Sequence, residues 1–383
     1  MGRSALLIPA LLLGSGLSGC VQQPKALQET SPPFVFRSLD LNQRRQDGLR
    51  DWDLSSPEAR YELSSRTVRA RRPSGVLYEN DQPSFRISAQ LATVLNDGEM
   101  VILEGQVQLQ QLNDQSVLIR GDRLVWNPAQ SRMVMDQNPE ALDASSRLTA
   151  NRLTLIQTSN TLHFEGPTQL QRWTEGRHPD VTADTDIQAS NGSWNLETGD
   201  LGVRGPVRAL RSKDLDITAS ALQGNTQQGF LDLIQPVRLE QLNGEINAGT
   251  TRWNLAEQRL TSSAPFQGKR QDAAARGQGF VIDEATTTVI IPKDCHLTQP
   301  GETLTAHRCS WNWVSNRVVA DGNVVLRRQE PQHETRAPRM EGQLGSSEGL
   351  VLGSTGQRVR SSVRFMPDQP RSRPSSSRSR VSF

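Results

Sequence analysis

From residue 87 to residue 109 the chain alternates apolar and polar positions, breaks, and alternates again. Ile87, Ala89 and Leu91 stand at every second place among polar residues, the period of a strand with one buried face. Asn96-Asp97-Gly98 interrupts the pattern with residues that accept the positive φ of a hairpin turn. Val107 and Leu109 resume it. The stretch predicts strand, turn, strand. Its apolar residues share a face, because successive strand side chains point to opposite sides.

The unit recurs. With Ala89 as position zero, similar starts stand at Gly121, Ala150, Ala183, Ala219, Ala248 and Ala306, and fainter ones at Ala59 and Ala275, at intervals of 27 to 36 residues. Two places before zero come Ile87, Ile119, Leu148, Val181, Ile217, Ile246 and Leu304. Five places after it come Trp126, Leu155, Trp253, Phe280 and Trp311. The return strand opens sixteen places on, at Gly105, Gly166, Gln235, Ala264 and Gly322. From Ala183 the return at Gly205 lies farther off, which predicts a longer loop around Asn191-Gly192. A two-stranded unit of this size cannot bury its apolar face alone and must stack on its neighbours. The fold class is therefore all-β, a stack of about nine antiparallel hairpins.

The first twenty residues are a targeting segment rather than fold. Arg3 precedes an apolar run from Ala5 to Leu13, and Leu17-Ser18-Gly19-Cys20 follows. That ending is similar to a bacterial lipobox, in which the cysteine becomes an acylated N-terminus. Residues 1–19 are thus expected to be a lipoprotein signal peptide, with lipidation at Cys20 and a tether over 20–33. Gly14 to Gly19 also spells G-x-G-x-x-G, but it follows no strand and opens no helix, so it is not a dinucleotide loop. No later run reaches the 18 apolar residues of a membrane helix.

Asp47-Gly48-Leu49-Arg50-Asp51-Trp52-Asp53-Leu54, then Ala59-Arg60-Tyr61, then the closing strand Leu103-Glu104-Gly105-Gln106-Val107-Gln108-Leu109 resemble the LptC family. Asp321-Gly322-Asn323-Val324-Val325-Leu326 repeats that closing strand. The later units are similar to the wider OstA/LptA group. The resemblance covers residues 34–328 and implies an elongated, twisted, open β-jellyroll. Residues 329–383 are left as a weakly structured basic tail. The family usually carries a membrane helix where this chain has a lipobox, and this chain is about twice the usual length.

What the resemblance implies is lipopolysaccharide transport on the periplasmic face of a bacterial membrane, the inner one favoured. The partners would be jellyroll domains of the export ABC transporter and an LptA-like bridge protein. Exposing a twelve-carbon acyl chain to water costs on the order of 10 kcal/mol, at about 0.8 per CH₂. A trough lined by inward strand residues removes that cost. The expected lining begins with Ile87, Leu91, Val107, Leu109, Ile119 and Leu124. It continues through Trp126, Leu148, Leu153, Leu170, Val181 and Val207, and ends with Ile217, Leu222, Val237, Leu239, Ile246 and Trp253. Open sheet edges would dock other jellyrolls by strand addition.

Candidate chemistry is sparse. Cys295 takes the leucine place of a return strand, and Cys309 stands where Leu124, Leu153 and Leu222 stand in other units. Both belong to the inward set, as a disulfide, as packed thiols, or as ligands of a metal with His296 and His307. Adjacent strand residues face opposite ways, so Cys295 and His296 do not reach one ion without a kink. Asp184/Asp186 and Asp214/Asp216 suit turns and edges better than acid–base work. No Ser/His/Asp set, phosphate loop or H-E-x-x-H stands in the sequence, so neither an enzyme nor a cofactor is expected. The net charge of +2 makes no case for nucleic acid. Residues 357–383 hold seven Arg against one acid, a solvated tail or a contact for anionic head groups. Two other readings stay open: an outer-membrane-assembly lipoprotein, and a carbohydrate-binding or structural β-solenoid.

Overall fold

The structure is a computed structural model, and it describes residues 34–364 apart from 114–115, 179, 212–214, 242–243, 330–331, 344–348 and 353–358. The signal peptide, Cys20, the tether and residues 365–383 lie outside the described residues. Within them the chain forms one hydrogen-bonded sheet of 32 strands. Hairpin neighbours pair antiparallel throughout, as Met100–Gln111 does with Leu118–Asn127. Antiparallel hairpins exclude the parallel rungs of a β-solenoid.

Each long strand serves two limbs. The early residues of Met100–Gln111 pair with Leu91–Leu95, and its later residues pair with Gln82–Ser88. The sheet is therefore creased along its length. At the N-terminus one limb ends on Phe34–Phe36 and the other on Leu39–Arg44. The sequence makes the crease at one repeated position. Pro167, Pro206, Pro236, Pro265 and Pro292 stand at or beside it and lack the N–H that a ladder needs. Where proline is missing, Gly105-Gln106 and Gly322-Asn323 take positive φ instead. The register slips there in hairpin after hairpin, between Gly121 and Arg123, between Glu165 and Thr168, and between Arg204 and Val207. Gly205 has no room for a side chain: a Cβ there would sit 1.7 Å from the Ser220 carbonyl oxygen.

Crossing the crease changes which residues face inward. Ile119 is buried, and so are Leu124 and Trp126, five and seven places on. This corrects Leu91. The strand Gln82–Ser88 ends before it, and Leu91–Leu95 buries Ala92 and Val94 instead. A one-residue step turns every side chain of a strand to the other face, so strict alternation from Ile87 fails at the bend.

Val181 needs a second correction. It is 53% exposed, in the connection between Thr161–Arg172 and Thr185–Asn195. The true start of that unit is Ala189, paired with Thr168, and Ile187 two places earlier is buried. Counted from Ala189, Trp194 and Gly205 fall five and sixteen places on, as in the other units. The extra residues belong to the preceding connection and not to the hairpin.

The sheet also continues beyond the expected boundary at residue 328. Gln332–Gln343 pairs along Arg317–Arg328, and Gly349–Leu352 and Arg360–Arg364 pair with it in turn. Its buried positions are Thr335, Ala337 and Met340, too small or polar a set to register as an apolar strand.

The inner faces of both limbs merge into one apolar core from Trp52 to Met340. Outer faces carry ion pairs between neighbouring strands. Glu140 is the most embedded of these, between Arg120 and Arg147 on the two flanking strands. Burial pushes its carboxyl up, and hydrogen bonds from the two guanidinium groups overcome this and hold it below the usual carboxylate range. A carboxylate held low stabilises the fold above its unfolded pKa, and that contribution is lost as the pH falls through the folded value. Melting temperature should therefore drop as acid is added below about pH 4.3, and Glu140→Gln should flatten part of that drop. A variant with an unchanged profile would show that the pair contributes nothing.

Candidate functional site

Most of the expected lining residues do face inward. Ile87, Val107, Leu109, Ile119, Leu124 and Trp126 are buried, and so are Leu148, Leu153, Val207, Ile217, Leu222, Val237, Leu239 and Trp253. Leu170 and Ile246 are partly buried against the same core. In the N-terminal units, however, the two limbs close on each other. Trp52 and Trp126 meet edge to face at 5.5 Å, and Trp126 Nε1 donates to Gln157 Oε1 at 3.0 Å. Polar contacts also span the limb tips. Asn160 Nδ2 donates to Glu79 Oε2 at 3.2 Å, and Gln111 Nε2 donates to the Leu196 carbonyl at 3.5 Å.

Open space lies farther along. A cavity of about 390 Å³ is lined only by residues between Leu215 and Gln343, with walls from both limbs. Of the expected lining, Leu239 and Ile246 border it. Its other apolar walls include Phe266, Leu297, Leu304, Trp311, Leu326 and Met340. The sequence explains why the limbs part here. Twenty places after zero, most units put a bulky residue such as Leu109, Leu170, Leu239 or Leu326; the unit from Ala248 has Gly268. Two places before zero, where others have Ile or Leu, the next unit has Ala273. Gly268 and Ala273 both line the cavity. Two missing aliphatic side chains leave a void that a packed interior does not otherwise tolerate.

The rim is cationic and aromatic. Arg270, at the tip of one limb, reaches across to the other. Its Nη1 donates to the Trp313 carbonyl at 3.1 Å, and its guanidinium lies 5.4 Å from the Trp311 ring. Lys269, Arg328 and His333 border the same space, with Arg328 paired to Glu302 at 2.6 Å. One signal for this site was in the sequence: Leu304 and Trp311 occupy the repeat places of Ile87 and of Trp126. A second signal is Arg270 itself, which stands 22 places after zero, where Arg172, Arg211 and Arg328 stand in other units.

Cys295 and Cys309 are bonded to each other, with Cα atoms 5.8 Å apart, both buried where the limbs meet. Neither is then a thiol or a metal ligand. Among the described residues no group of three His, Cys, Asp or Glu side chains is placed to hold a metal, and no helix is long and apolar enough to cross a membrane. Burial, helped by Arg276, keeps the His296 imidazole below its usual range.

The family described as "Lipopolysaccharide-assembly, LptC-related" matches residues 5–141. Over that stretch the chain is similar to LptC-related proteins. The stretch is just over a third of the chain and ends before the cavity begins. No curated protein matches. Among solved structures, LptH, the LptA homologous periplasmic component of the conserved lipopolysaccharide transport device from Pseudomonas aeruginosa, covers 40% of this chain with 96% of its own length. Identity is 13% and the TM-score 0.25, a likeness too loose to align one site with another. The LptC-related stretch thus lies within the closed part of the sheet, and the open pocket is built from units beyond it.

Proposed function

We propose that this chain takes part in lipopolysaccharide transport and shields an acyl chain in the cavity between residues 215 and 343. The observation that carries the reading is the pairing of an apolar interior with the Arg270–Trp311 rim. An apolar cavity with a few convergent polar groups is the ordinary form of a small-molecule site. An acyl chain inside and an anionic head group at the rim would satisfy both parts. The LptC-related match supplies the biological context.

Anchoring belongs to the same proposal. A lipidated Cys20 would tether the N-terminal limbs at a periplasmic membrane surface, because several acyl chains hold where one does not. Among the described residues one limb ends at the N-terminus on Phe34–Phe36, and Phe34, Val35 and Phe36 are exposed there. Strand addition there would continue the sheet into jellyroll domains of a transporter or an LptA-like protein.

Photo-leucine tests the pocket. Placed at Leu297 or Leu304, it should yield lipopolysaccharide adducts on irradiation, and at Val107 in the closed core it should yield none. Ala273→Leu should fill the void and reduce the adducts at least about fivefold, since overpacking a pocket removes ligand space at a modest cost in stability. Adducts at Val107 alone, or none at any site, would exclude the cavity as the lipid site.

A further inference from the structure

The cavity has a charged wall at its N-terminal end. Glu284 borders the space. Behind it, Arg211 Nη1 lies 3.2 Å from Glu284 Oε1, with the side chains only 6% and 13% exposed. The Arg211 guanidinium in turn lies 5.1 Å from the ring of Trp253, which is fully buried and does not line the cavity. Arg211 ends Asp200–Arg211 on one limb, and Glu284 follows Ala273–Asp283 on the other. The pair therefore closes the gap between the limb tips where open space gives way to packed core.

A buried ion pair in an apolar setting is a weak stabiliser, because desolvation offsets most of its attraction. Leu215 is paired with Arg211 in the sheet, and Leu260 with Ile282, two places before Glu284, so the setting of the pair is apolar. A charged wall has one effect that an apolar wall lacks: a hydrocarbon tail cannot push into it without stripping a partner from a buried charge, and that is costly. We propose that the Arg211–Glu284 pair is the end stop of the pocket and limits the length of acyl chain it accepts. The inference rests on the lipid reading above and makes the pocket blind toward the LptC-related units, not a through-channel. The ligand class is a single saturated acyl chain with an anionic head at the Arg270 rim.

The test measures binding of straight-chain fatty acids of about eight to eighteen carbons by displacement of a fluorescent acyl probe. In the unaltered protein, affinity should rise about fourfold per added CH₂, then stop rising once the tail meets the wall. In R211L/E284L the rise should continue to longer chains by at least two carbons. A break at the same length in both proteins, or no break in either, overturns the end stop. A second measurement locates the tail in both proteins instead of reading affinity. With photo-leucine at Leu255, beside Trp253 in the core, a sixteen-carbon diazirine-free fatty acid should label only when R211L/E284L is present, whereas photo-leucine at Leu297 should label in both proteins. Labelling at Leu255 with the pair intact also overturns the end stop. Failure of Leu297 to label in either protein removes the pocket itself, and the end stop with it.

Discussion

Trp126→Ala should cost about 3–5 kcal/mol of folding stability, the range for deleting a large aromatic side chain from a closed core. The indole is 2% exposed and packs edge to face on Trp52. Its N–H has a partner in Gln157, one unit further on. Truncation would therefore leave a cavity, unpack Trp52 and orphan the Gln157 carbonyl. Trp126→Phe should recover more than half of the loss, because it restores the ring but not the hydrogen bond. Urea titration followed by circular dichroism measures the difference. A loss under about 1 kcal/mol would mean that the N-terminal units are not the closed core described above. The comparison is informative because the same repeat place is Trp253 behind the end stop and Trp311 in the pocket wall. Trp311 is only partly buried, and its truncation should cost less.

Replacing both Cys295 and Cys309 with alanine should cost about 3 kcal/mol. A bond between residues 14 apart removes roughly that much loop freedom from the unfolded chain. The bond ties Lys293–Gln299 on one limb to Arg308–Asn312 on the other, and Cys309 lines the cavity. Packing between the limbs is thinner there because Gly268 and Ala273 fill less of the interior, so a covalent tie at their junction matters more than in the packed units. Dithiothreitol should lower the midpoint of unfolding in the unaltered protein and leave the double variant unmoved. A variant as stable as the parent, or one still sensitive to reductant, would rule out the assigned role of the bond.

The hairpins and their apolar phase were legible in the sequence because each depends on local chemistry, whereas the crease emerged only from the strand pairing. Inward residues recur two before, and three and five after, a small residue. Prolines punctuate the return strands, and Gly or Asn/Asp marks many of the turns. Leu91 and Val181 show the limit of that reading. Leu91 obeys the period but lies past a bend that resets it. Val181 obeys the spacing from an alanine that is not the start of its unit. The first error follows from reading phase along one strand, when phase at a crease is set by the strand that pairs with it; the second follows from residues added to a connection. One strand, Gln332–Gln343, escapes the pattern for another reason. Gln332–Gln343 is held by its ladder to Arg317–Arg328 rather than by an apolar stripe of its own.

By itself the sequence determined the repeating unit, the all-β class and the residues able to face a shared interior, since periodicity and turn chemistry act over a few residues. Tertiary structure alone decided where that interior is closed and where it is open. Openness depends on which side chains meet across two limbs: Trp52 finds Trp126 and closes the space, whereas Gly268 and Ala273 leave it unfilled. The Arg211–Glu284 and Arg270–Trp313 contacts join residues 73 and 43 places apart, distances over which no local pattern carries information.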